Sequence, residues 1–227
     1  PDNRAFRSLI ETGPRGPFFM GGYMEQVQAG EISLAVERFG DRHAPAVILI
    51  AGLGFQLIDW QADFCEQIAA EGFQVIRFDN RDVGCSDKLE ALGLPDLEKI
   101  MADKAAGLSP EAPYSLRDMA GDVASLMDAL SLKQAHIVGM SMGGMIAQCM
   151  AIEYPHRVLS LTSIMSTTGA PGLPKPKASV SLQLASPMPK DQEGYVRQGL
   201  KMWKLLHGDT YAFDEQRISN MLTFAHS

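Results

Sequence analysis

A chain of 227 residues, 46% hydrophobic and 21% charged, has enough apolar material for one full core, and its net charge of -7 includes no basic stripe interleaved with aromatics. A phosphate backbone has nothing to hold on to, so no nucleic-acid partner is expected. No apolar run approaches the roughly 20 residues a membrane helix needs, and Cys65, Cys85 and Cys149 form no C-x-x-C pair; the chain is expected to be soluble and cytoplasmic, with no membrane, zinc site or disulfide framework.

Residues 1–23, rich in Pro, Gly and Arg and without any period, are expected to be a leader or expression-derived segment outside the fold. From Met24 onward, predicted strands alternate with predicted helices, the pattern of a largely parallel sheet covered on both faces. "MEQVQAGEISLAVERF" reads as strand, Gly turn, strand; "APAVILI" (44–50) reads as a strand buried on both faces and leads into the loop "AGLGF". Asp59 is expected to cap a helix with Trp60, Phe64 and Ile68 on one face and Gly72 at its end. "FQVIRF" (73–78) is the next strand. Ser115 and Asp118 read as a capping box, before a helix with Met119, Val123, Leu126 and Leu130 in its apolar stripe. "AHIV" is a short strand, 143–154 a helix stopped by Pro155, and "VLSLTSIM" (158–165) a further buried strand. Beyond it "TTGAPGLPKPKAS" is a Gly/Pro-rich connector to two helical stretches, 191–206 and 213–226, so residues 168–227 read as a helical insertion over the sheet.

Gly139, Met140, Ser141, Met142 and Gly143 satisfy G-x-S-x-G, with a predicted strand before it and a helix after it. That is the setting of a nucleophile elbow, a sharp turn on which the serine is strained and exposed and its close neighbours must be small. The alternative is a tight strand-to-helix turn whose serine merely caps the helix. A serine attacking an acyl carbon also needs donors for the oxyanion; the elbow supplies the N–H of Met142, and the loop after "AVILI" supplies a second candidate in Leu53. Gly52, Gly54, Phe55 and Met140 line the same place and are expected to contact substrate. The Gly52-Leu53-Gly54 run followed by Asp79 also mimics a dinucleotide fingerprint, although Leu57 stands where its third glycine is needed and the helix begins late.

"VILIAGLG", "VIRFDNRDVGCSD" and "HIVGMSMGGMIAQCMAIEYPHRV", in this order and spacing, resemble the α/β-hydrolase superfamily and its branch of bacterial esterases that includes aclacinomycin methylesterase. The resemblance covers about residues 25–227. It implies the α/β-hydrolase fold, a mostly parallel sheet with helices on both faces, in a core over 24–167 and a helical lid over 168–227. It further implies a cofactor-free serine hydrolase that cleaves small carboxylic esters through an acyl-enzyme on Ser141. Asp79 and Arg81 fall on a family loop that is mainly architectural and are expected to form a charge network near the site. The His-Gly that often precedes the donor in the family is Ala51-Gly52 here.

No histidine matches the family's base: His43, His136 and His156 flank strands and helices as surface or packing residues, and His207 and His226 end predicted lid helices. The family places its acid and histidine after strands that follow the lid, so the chain is expected to be truncated before those strands. The uncharged "VLSLTSIM" would then present an open edge, to be covered by a C-terminal fragment of the same protein or by a homodimer partner. A truncated, noncatalytic binding module is the competing function, and a perhydrolase, lactonase or thioesterase would use the same serine.

Overall fold

The computed structural model describes residues 23–93, 96–108 and 111–226; apart from Tyr23, the expected leader lies outside them. In chain order the strands are β1 (Glu25–Ala29), β2 (Ile32–Phe39), β3 (Ala46–Ile50), β4 (Gln74–Phe78), β5 (Ala135–Met140) and β6 (Val158–Ile164). The helices are α1 (Ala62–Ala70), α2 (Leu97–Ala105), α3 (Leu116–Ala129), α4 (Met142–Glu153), α5 (Ala178–Ala185), α6 (Gln192–His207) and α7 (Glu215–His226). The chain divides into two compact units, the first ending at Thr168 and the second beginning at Gly169.

The first unit is built on a sheet of order β1-β2-β4-β3-β5-β6. β1 pairs antiparallel with β2 and β2 with β4, whereas β4, β3, β5 and β6 run parallel. The continuous β-branched run of β3 places it in the middle, with Val47 to Ile50 all buried. Its even-numbered side chains join Ile76, Phe78 and Ile137 under α3 and α4, against Val123, Leu126, Ile146 and Met150. Its odd-numbered ones face Phe39, Trp60, Cys65 and Val75 on the other side. Helices therefore cover both faces of the sheet, as the alternating pattern predicts.

A fully buried ion pair ties β2 to β4. Glu37 and Arg77 are register partners, Arg77 Nε donates to Glu37 Oε2 at 2.7 Å, and a second Arg77 nitrogen donates to the carbonyl of Trp60. Burial pushes the Glu37 carboxyl up, and the Arg77 charge opposes that shift.

Three expectations are corrected here. Asp59 does not cap the helix: its carboxylate accepts the N–H of Gln56 at 2.8 Å and closes a 3₁₀ turn, Leu57–Asp59. With the Trp60 carbonyl taken by Arg77, α1 begins only at Ala62, and Phe64 is left 41% exposed, stacked on Trp60. The second correction concerns β6, which forms as predicted but is exposed along most of its length because β5 is its one strand neighbour among the described residues. Last, α2 and α5 were not expected: α2 falls in a stretch of mixed charge, and α5 follows the Pro-rich connector that masks its apolar residues. The capping box does form, Asp118 N–H donating to Ser115 Oγ and Ser115 N–H to the Asp118 carboxylate.

The second unit holds α5, α6 and α7. Asp191 caps α6 by accepting the Gly194 N–H at 2.8 Å, and Gly199 lets α7 approach closely enough for Leu222 to lie flush against α6. No helix among the described residues is long and apolar enough to cross a membrane.

Candidate active site

In open sheets, ligands bind beyond the carboxyl ends of the strands where the strand order reverses. Here that point is β3, whose chain continuation goes to β4 on one side while β5 lies on the other. The loop "AGLGF" leaves the end of β3, and Ser141 stands at the end of β5 beside it.

Ser141 has φ 56° and ψ -121°, a conformation that ordinary L-residues rarely adopt, and it joins β5 directly to α4. Its N–H is tied to the carbonyl of Ile164 at the end of β6, at 2.9 Å. The side chain makes no helix-capping hydrogen bond, which removes the reading of Ser141 as a mere cap. Glycine is required on both sides: a Cβ at Gly139 would come within 2.6 Å of the Gly144 nitrogen, and one at Gly143 within 2.6 Å of the Ala51 carbonyl oxygen. These two absences of side chain let α4 start flush against the ends of β3 and β5.

Gly52 closes the arrangement from the other side. A Cβ there would meet the Ser141 Cβ at 3.2 Å and the Met140 carbonyl at 3.3 Å, so the loop backbone rests on the elbow itself. Leu53 and Gly54 then form the corners of a turn closed by the Phe55 N–H on the Gly52 carbonyl at 3.2 Å, with Gly54 at φ 71°. Neither the Leu53 N–H nor the Met142 N–H is taken by another group of the described residues. The first turn of α4 adds its positive dipole end at the same spot. The rim is apolar: Leu53 is 61% exposed, and Phe55, Met140 and Met142 are half-buried.

The next loop, after β4, was read only in part. Arg81 is held by Asp122 on α3 through two hydrogen bonds of 2.7 and 2.6 Å and lies over the Tyr114 ring. Asp79 does not pair with it. Its carboxylate accepts two main-chain N–H groups, from Leu57 at 2.6 Å and Cys85 at 2.8 Å, so the expected single network is two separate ones. Asp79 is 2% exposed and bonded to two main-chain N–H groups, out of a ribose's reach, and α1 begins eight residues beyond Gly54; the dinucleotide reading fails on both counts. Asn80, which the sequence reading passed over, donates from its side chain to the Ala51 carbonyl at 3.1 Å. The signal for it was three polar residues, Asn80, Arg81 and Asp82, crowded just after a buried strand.

In the first unit the histidines stand away from this place. His136, at the start of β5, bonds through Nδ1 to Ser160 Oγ at 2.8 Å and meets the Phe73 ring edge-on. His43 is exposed in the loop before β3, and His156 lies in the 3₁₀ turn Pro155–Arg157 beyond the far end of α4. In the second unit His207 bonds the Gly208 carbonyl and His226 the Lys190 carbonyl. No cluster of three or more His, Cys, Asp or Glu side chains able to hold a metal ion occurs among the described residues.

A strand order with its break at β3, a serine at positive φ between β5 and a helix, and a Gly-rich loop folded over that serine together define the α/β-hydrolase architecture. Residues 45–215 match the alpha/beta hydrolase fold family, and the chain belongs to it. It is 30% identical to rhodomycin D methylesterase DauP of Streptomyces sp. (strain C5), over 87% of this chain and 67% of that protein, and equally so to rhodomycin D methylesterase DnrP of Streptomyces peucetius. The chain thus spans about two thirds of the length of these curated relatives. A solved hydrolase from Pseudomonas aeruginosa PA01 shares the fold at TM-score 0.57 and 24% identity, over 90% of this chain and 72% of that one.

Proposed function

We propose that the protein is a serine hydrolase of small carboxylic esters, with Ser141 as nucleophile and the N–H groups of Leu53 and Met142 as the oxyanion donors. The observation that carries this reading is the strained bend at Ser141, whose hydroxyl makes no cap, lying under a loop that leaves the Leu53 N–H unengaged. Membership of the family and likeness to two proteins named methylesterases support it. In the proposed reaction Ser141 Oγ attacks the acyl carbon and its proton passes to a base. The carbonyl oxygen becomes the oxyanion facing the two N–H groups, the alcohol leaves with a proton, and water then releases the acid. Gly52, Gly54, Phe55 and Met140 are proposed to line the substrate, whose apolar portion suits the exposed Leu53 and the methionines.

The base and the acid that orients it are proposed to lie on a C-terminal segment outside residues 1–227. The exposed edge of β6, with Leu159, Leu161, Ile164 and Met165 at its surface, is proposed to be covered by a strand of that segment or by a second copy of this chain. Residues 168–227 are proposed to act as the lid, and three free cysteines favour the cytoplasm. No cofactor is proposed.

The test is hydrolysis of p-nitrophenyl acetate and short acyl esters by the whole protein. Ser141→Ala is expected to abolish it, and turnover that survives this substitution removes the nucleophile. The placement of His43, His136 and His156 favours one second reading, a noncatalytic module that binds an apolar ligand at the same loops. Strong labelling of residues 1–227 by a fluorophosphonate probe, which requires an activated serine, eliminates that module and with it the placement of the base outside these residues.

A further inference from the structure

In the loop proposed to carry the oxyanion donor, the Phe55 N–H closes a turn on the Gly52 carbonyl, and the tip residue Leu53 is 61% exposed. An N–H presented from such a loop is worth little unless it is fixed before the charge develops, since preorganised donors act without reorganising. The loop is fixed from outside, at both ends, by two consecutive residues that follow β4. At the near end the Asn80 amide donates to the Ala51 carbonyl at 3.1 Å; at the far end the Asp79 carboxylate accepts the Leu57 N–H at 2.6 Å. Its other oxygen accepts the Cys85 N–H at 2.8 Å, so the carboxylate bridges the loops after β3 and β4. Both side chains are 2–3% exposed, and Gly84, at φ 51°, leaves no room between backbone and carboxylate: a Cβ there would lie 2.7 Å from Asp79 Oδ1.

Resting on the reading of Leu53 as an oxyanion donor, we propose that Asp79 and Asn80 are positioning residues for ester hydrolysis: they clamp residues 51–57 at both ends and hold the Leu53 N–H over Ser141. The clamp needs Asp79 ionised, because a protonated carboxyl gives up one of its two acceptor oxygens. Desolvation pushes Asp79 up to about 6, opposed by the N–H groups of Cys85 and Leu57 and by the charges of Lys88 and Arg77. Asp59 stands close by, is itself pushed up to about 7 by desolvation and further by the Asp79 charge, and holds the Gln56 N–H of the same loop. Cys85, whose thiol burial raises, and Glu37, paired with Arg77, complete the titratable surroundings. Clamping strengthens as pH rises through this range.

The experiment uses the whole protein, with p-nitrophenyl acetate as substrate and rates counted per fluorophosphonate-labelled serine. Asp79→Asn, which sets an NH₂ against one of the two backbone donors, is expected to lower kcat about 10- to 100-fold with KM little changed, less than the roughly 10²- to 10³-fold that outright loss of an oxyanion donor costs. Asn80→Ala leaves the carboxylate in place and is expected to lower kcat about 3- to 10-fold by the same measure. Independently of turnover, the amide signals of Leu53 and Leu57 are expected to shift with one common midpoint on titration of the unaltered protein, and to lose that step in Asp79→Asn. A Leu53 amide that ignores the titration, or a kcat per labelled serine unchanged in both variants, overturns the clamp. The ester-hydrolase reading fails separately, by activity persisting in Ser141→Ala. If Asp79→Asn does not fold, Asn80→Ala and the titration of the unaltered protein decide the matter.

Discussion

Strands β5 and β6 lie side by side, run parallel, and are both apolar in sequence, yet they differ in almost every physical respect. β5 is sandwiched between β3 and β6, roofed on one face by α4, and alternates buried and half-buried residues up to the bend at Ser141. β6 has one strand neighbour among the described residues, and most of its side chains are exposed. Ile137 and Leu161 sit opposite each other in register, the first fully buried and the second 41% exposed. Hydropathy marks both as strands. Burial is set by how many neighbours close over them, and chemistry is placed where the closure is complete enough to hold a strained bend.

The strongest test of that contrast is at the strand ends. Ser141→Ala at the tip of β5 is expected to reduce ester turnover by about 10⁴-fold or more, while Ser163→Ala on β6 leaves turnover within a few-fold, both read by initial rates. Next in size is packing. Ile137→Ala is expected to cost about 2–5 kcal/mol in urea unfolding, and Leu161→Ala, at the matching register, less than about 1 kcal/mol; equal losses would mean that the β6 edge is covered. Gly143→Ala, which drives a methyl into the carbonyl ends of β3, is expected to cost about 1–3 kcal/mol and to displace the elbow. The smallest effect is pH-linked. Asp79 is raised in the folded state to about 6, so the fold binds its proton more tightly than the unfolded chain does. Its contribution to stability is fully present only below the unfolded value of 3.8 and is lost as pH rises through about 6. Compared with the unaltered protein, Asp79→Asn is expected to unfold with a flatter decline over that interval, the opposite sense to the activity change, as read by denaturant midpoints at a series of pH values.

The elbow was legible because its requirements are local. G-x-S-x-G needs small residues at fixed offsets and a strand and helix on either side, and all of these are written within residues 135–153. The turn at residues 52–55, where the Leu53 donor is proposed, was legible through the neighbouring run "AVILIAGLG" together with the family resemblance. Asp59 was misread because cap residues look alike in sequence; which N–H it takes depends on Arg77 occupying the Trp60 carbonyl from a strand seventeen residues on. Asn80 was missed for the same reason, since its partner at Ala51 lies 29 residues back. The exposure of β6 was half legible: the open edge followed from the expected truncation, but the letters alone, without charge or proline, fitted a strand buried on both faces.

The sequence by itself determined the order of the strands, the strained serine, and the glycines that let two chain segments touch, because hydrophobic period and steric size act between near neighbours in the chain. Only the tertiary structure decided which carbonyl each buried polar side chain would take, and which apolar strand would lie at the open edge. Those outcomes depend on segments tens of residues apart meeting in one register, and a buried polar group bonds to whatever that meeting brings within about 3 Å.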